Sequence, residues 1–136
     1  MTHKIWRWAG ARSIGSSHRR AGLPCQDFVA CTEFDAPAGK VLATVVSDGA
    51  GSASHAEAGA RAVCFAFLRA AMEHLFAGNS IEDANLNVVM EWMDSIRDRV
   101  NVVANRFKVR PRDCASTIVA LLAGPRARRT DRHPTD

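Results

Sequence analysis

Residues 45–54, VVSDGAGSAS, carry an apolar run into an aspartate, a glycine, a string of small residues and then a helical pattern. Asp48 is either a turn residue or a cation ligand. Asp-Gly suits a turn for backbone reasons alone, because Asp bonds its own backbone and Gly accepts positive φ. The two readings separate on one question: does a second carboxylate stand beside Asp48? That depends on what the apolar run pairs with.

Upstream, Asp27–Glu33 and Val41–Ser47 are two β-rich runs. FDAPAGK (34–40) lies between them and is a turn signal, so the sequence predicts a hairpin. With the turn centred between Pro37 and Ala38, Asp27 faces Asp48. Facing residues of an antiparallel pair lie about 4.5–5.5 Å apart at Cα. Two unpaired carboxylates there repel unless a cation sits between them. Oxygen-only ligands favour a hard cation, Mg²⁺ or Mn²⁺. The register decides: a one-residue slip turns one side chain to the other face and leaves two unrelated strand-end aspartates.

Downstream, Ala60, Val63, Cys64, Phe67, Leu68, Ala71, Met72, Leu75 and Phe76 recur at i, i+3, i+4, with Glu57, Arg61, Arg69 and Glu73 opposite. This is a helix, stopped at Gly78. Ser80 precedes Asp83 by three, a variant capping box that predicts the start of a second helix. Its stripe is Leu86, Val89, Met90, Met93, Ile96, Val100, Val103 and Phe107. Pro111 breaks it, and CASTIVALLA (114–123) reads as a buried strand. At the other end, Ile5–Ala11 alternates as a strand does, and SIGSSHRRAGLPCQ (13–26) reads as a loop.

Composition sets the class. The 136 residues suffice for one domain, and 47% hydrophobic with 24% charged residues is ordinary for a globular protein. No apolar run approaches the roughly 20 residues a membrane span needs. No signal-peptide stretch opens the chain, so a cytoplasmic protein without a membrane partner is expected. Cys25, Cys31, Cys64 and Cys114 lack metal-site spacing and read as small hydrophobes. Half of the net charge of +4 sits in GPRARRTDRHPTD (124–136), a basic tail expected to be disordered. The body nowhere interleaves aromatic and basic residues, so nucleic acid is a disfavoured partner.

Three segments in order, GSSHRRAGLPCQDFVA (15–30), VVSDGAGSASHAEAGARAV (45–63) and DCASTIVALL (113–122), with a hairpin and two helices between them, resemble the bacterial branch of the PP2C (PPM-type) metal-dependent serine/threonine protein phosphatases. The resemblance covers about residues 6–123. It implies an α+β fold, an αββα sandwich of two packed antiparallel sheets flanked by helix pairs. It implies a metal centre at Asp27, Asp48 and the carbonyl of Gly49, holding two Mg²⁺ or Mn²⁺ ions and a bridging water that attacks the phosphorus of a phosphorylated Ser/Thr protein. Gln26 stands where many members have glutamate. Gly22 stands where many have a phosphate-binding arginine, with His18 and Arg20 as candidate replacements.

The C-terminal Gly-Asp, Asp-Gly and Asp-Asn motifs of that family do not occur here. Residues 1–123 therefore read as the N-terminal part of such a domain, truncated, with little or no activity and an uncovered sheet surface prone to dimerise or aggregate. Two rivals stand beside this reading. One is a non-catalytic pseudophosphatase that binds a phosphoprotein. The other is a basic nucleic-acid-binding domain, whose affinity would fall steeply with salt.

Overall fold

The computed structural model of the chain describes residues 6–125. The proposed basic tail, apart from Gly124 and Pro125, lies outside the described residues, as does Ile5. The elements are α1 (Ser16–Arg20), β1 (Phe28–Ala36), β2 (Gly39–Ser47), α2 (Ala56–Phe76), α3 (Leu86–Phe107), a 3-10 turn (Pro111–Cys114) and β3 (Val119–Ala123). The three strands form one antiparallel sheet in the order β1-β2-β3. This is the α+β architecture expected of part of a PP2C-like domain.

The hairpin register follows from the turn. Phe28 pairs with Ser47, Ala30 with Val45 and Ala36 with Gly39, so the turn is centred between Pro37 and Ala38 as the sequence predicts. Pro37 fits because its fixed φ suits a turn and it owes the ladder no N–H. Gly39, at φ 128°, takes a conformation that side chains resist.

One sheet face is covered by α2, whose buried Val63, Cys64, Phe67 and Ala71 meet Val45 of the central strand and Ile96 of α3. Each fully buried aliphatic side chain of this kind contributes about 1.5–3 kcal/mol. Burial also pushes the Cys64 thiol up to about 11, so it behaves as a small hydrophobe. Trp92 of α3 packs edge-on against Phe67 and His74 of α2, while Phe107 lies 4.8 Å from the His55 ring at the start of α2. The early part of one helix meets the late part of the other, so the pair is antiparallel. Gly59 lets α2 approach the 3-10 turn: a Cβ there would sit 1.9 Å from the Cys114 carbonyl oxygen.

Five local expectations are corrected. Residues 6–11 form no strand; Gly10 instead lies across Val29 and Cys31 of β1. Alternation alone does not make a strand when no neighbouring edge takes its backbone groups. The expected loop at 13–26 contains the single turn α1. Ser80 and Asp83 cap a turn, not a helix; α3 starts later, where the Asn85 side chain accepts from Val88 N–H. The α3 stripe is buried only in its middle, at Ile96, while Leu86, Met90 and Phe107 are exposed; α3 packs mainly on α2 and the 3-10 turn and not on the sheet. Finally, β3 is an exposed edge strand, with Val119 at 69% and Leu121 at 57% exposure, and not the buried strand its composition suggests. No helix among the described residues is long and apolar enough to cross a membrane.

Candidate metal centre

Asp27 immediately precedes β1 and Asp48 immediately follows β2. Since Phe28 pairs with Ser47, the two aspartates emerge side by side at the open end of the hairpin. The two carboxyl groups are near enough to act on each other's ionisation. Desolvation first, and then the hydrogen bond to and repulsion from Asp48, raise the Asp27 carboxyl above its ordinary value; His18 and Arg12 pull it back by less. A carboxyl in that state gains from a cation placed between the pair.

Backbone bonds fix the turn that carries Asp48. Asp48 N–H donates to Thr117 Oγ1 (3.1 Å), and Thr117 N–H donates to the Asp48 carbonyl (2.8 Å). Ser47 Oγ donates to the Thr117 carbonyl (2.6 Å), and Ala50 N–H to the Ala115 carbonyl (2.9 Å). The Ala-Ser-Thr segment is thus a brace for the Asp-Gly turn, which explains why the two motifs occur together although almost 70 residues apart. Thr117 thus satisfies a strand-end backbone group, whereas Ser116 Oγ is buried without a hydrogen-bond partner among the described residues. Gly49 is buried, and a Cβ on it would meet the Gln26 carbonyl at 2.6 Å and Ala56 Cβ at 2.8 Å. Only glycine lets the turn, the Gln26 backbone and the start of α2 meet this closely.

The remaining sequence candidates divide. Gln26 is buried at 7% exposure, and its Oε1 accepts from His18 Nε2 at 3.0 Å. The pair braces the residue next to Asp27. Arg20 gives its Nε–H to the Ser16 carbonyl (3.3 Å) of its own helical turn and does not line the groove at the aspartates. That groove, about 410 Å³, is lined by Arg12, Asp27, Asp48 and Thr117, with Val46 and Val119 on its apolar wall.

Arg12 is the residue that sequence reading misses. It donates to the Asp27 carbonyl (2.9 Å), and its guanidinium lies 5.2 Å from the Phe28 ring centre. It is far upstream of Asp27 in sequence, and no spacing rule points to it; the segment reaches the site only because it folds back along β1.

Two carboxylates at the mouth of a fixed turn, both exposed to solvent, are a donor set that fits a hard divalent cation. Among the described residues no group of three or more His, Cys, Asp or Glu gathers as a fuller ligand set would.

The order of these pieces, Gln-Asp before a hairpin and Asp-Gly after it braced by Ala-Ser-Thr, belongs to a family of metal-dependent phosphatases. The chain matches the protein phosphatase 2C family over residues 14–130 and belongs to that family. It is also similar to serine/threonine-protein phosphatase 3 of Escherichia coli (strain K12), at 31% identity over 126 residues, covering 88% of this chain and 47% of the relative. The chain therefore spans about half the length of the curated relative it matches. No solved structure matches it.

Proposed function

We propose that this chain is the N-terminal part of a metal-dependent phosphatase domain acting on phosphoserine or phosphothreonine of proteins. One observation carries the reading: the hairpin register sets Asp27 beside Asp48 while Gly49 is locked against Gln26 and Ala56. In this reading Asp27 and Asp48 hold Mg²⁺ or Mn²⁺ together with the Gly49 carbonyl. A cation bound there supplies charge neutralisation and lowers the pKa of a water that serves as nucleophile.

The protein's own groups do the rest. Thr117 and Ser47 hold the Asp48 turn still, so the carboxylate is positioned before a cation arrives. His18 and Gln26 fix the backbone that presents Asp27. Arg12, in the wall of the same groove, is placed to donate to a phosphate oxygen, taking the part left open by Gly22. A guanidinium offers the forked donor geometry that phosphate prefers.

Two carboxylates fix one cation better than two, so we expect the chain alone to turn over slowly and the far-side ligands to belong to further chain. That shortage also favours a second reading, a phosphoprotein-binding module without turnover. The test is a phosphothreonine peptide with millimolar Mn²⁺, assayed for phosphate release and for binding, with Asp48→Asn alongside. Release that Asp48→Asn removes supports the phosphatase. Tight binding without release supports the module. Release unaffected by Asp48→Asn would overturn the metal assignment.

A further inference from the structure

The two buried polar side chains among the described residues are those of Gln26 and Ser47. Each immediately precedes one of the two exposed aspartates, Asp27 and Asp48. A buried polar group costs stability unless it is hydrogen-bonded. Ser47 Oγ donates to the Thr117 carbonyl (2.6 Å). Gln26 Oε1 meets His18 Nε2 at 3.0 Å. The same arrangement thus occurs twice: a carboxylate in the open and, one residue before it, a polar anchor in the interior.

The Gln26 anchor reaches further than Asp27. Its backbone carbonyl lies against Gly49, where a Cβ would stand 2.6 Å away. Gly49 is held from another side by an antiparallel bridge to Ser116. Gln26 therefore touches Gly49 through its backbone while its side chain holds His18. His18 belongs to α1, a single turn that buries none of its own residues. Such a turn is not stable alone, because nucleation costs more than its few bonds return. Leu23 N–H closes it on the His18 carbonyl (2.9 Å). Among the described residues, the bond from His18 to Gln26 is the one side-chain hydrogen bond between α1 and the rest of the chain. What α1 supplies is therefore not core but a fixed partner for Gln26. Gln26 does not line the groove into which Asp27 and Asp48 open.

We propose that His18 and Gln26 are positioning residues of the metal centre. With its amide held by His18, Gln26 keeps Asp27 and Gly49 in one fixed relation, and it is not itself a ligand. The proposal rests on the metal reading of Asp27, Asp48 and Gly49. It also gives a reason for an uncharged residue here. A third carboxylate, buried beside two others, would add repulsion, whereas an amide fixes the backbone without charge.

The experiment is titration calorimetry of the whole chain with Mn²⁺ alone. It compares the parent with His18→Ala, Gln26→Ala, the double variant and His18→Gln. Removing an outer partner of a metal ligand weakens metal binding by about tenfold or more, and each Ala variant should lose about that much. The double variant should bind no more weakly than the weaker single one, because the two side chains act as a unit. In His18→Gln the amide nitrogen reaches about where the imidazole Nε2 stands, and most of the loss should be recovered. Urea titration without metal checks that each variant folds. Should Gln26→Ala not fold, His18→Ala against His18→Gln decides alone. A stability loss with unchanged Mn²⁺ affinity overturns the proposal, since the pair is then structural only. Tighter binding in His18→Ala with weaker binding in Gln26→Ala overturns it too, because the freed amide is then a ligand. So do losses that add in the double variant. A parent that binds no Mn²⁺ removes the metal reading itself; binding that Asp48→Asn abolishes and His18→Ala leaves intact removes this proposal alone.

Discussion

Asp48→Asn separates what the carboxylate pair does for the fold from what it does for a cation. The substitution keeps shape and size. The bonds that fix position 48 run through its backbone, to Thr117 Oγ1 and Thr117 N, so they survive. What is lost is one negative charge facing Asp27. Unit charges about 4 Å apart repel by roughly 1 kcal/mol at the dielectric of water. Both aspartates are exposed, so solvent screening holds the effect near that figure or below it. Without divalent ions the variant should be more stable than the parent by about 0.5–1 kcal/mol, a rise of roughly 2–4 °C in melting temperature for a chain of this size. With cation the order reverses. If the pair binds Mn²⁺ with a Kd of about 1 mM, about 10 mM ion stabilises the parent by about 1.4 kcal/mol. The variant should gain almost nothing. Differential scanning fluorimetry with and without Mn²⁺ reads all four states. A variant that melts lower without ions, or that gains as much from Mn²⁺ as the parent, would refute the reasoning.

Three further outcomes follow from the same geometry. Gly59→Ala places a methyl on the Cys114 carbonyl and should cost about 3 kcal/mol or leave the chain unfolded, as urea titration will show. Thr117→Val removes the acceptor for Asp48 N–H and should cost about 1–2 kcal/mol while weakening Mn²⁺ binding measured by calorimetry. Asp27, raised above its ordinary value of 3.8, contributes stability that is fully present below that value and lost as pH climbs through its raised folded value. Urea midpoints taken across about pH 3 to 7 should therefore fall less steeply on that account in Asp48→Asn than in the parent.

The turn signal around Pro37 and Gly39 was enough to place the hairpin, because that information is local. Its register, and so the meeting of Asp27 with Asp48, was an assumption at the level of the sequence, since a one-residue slip was equally writable; the pairing of Phe28 with Ser47 in the structure fixed it. The two helices were legible for the same reason, since their periodicity reports which side chains need burial. Burial itself was not legible. Leu86, Met90 and Val119 belong to apolar patterns yet stand in solvent, because a pattern states a preference and only the packing of the elements states how much of it is met. Nor could the sequence place Arg12 in the groove or make Thr117 a brace for Asp48. Each of these is a contact between segments distant in the chain, set by how the layers close on one another and not by any residue's neighbours.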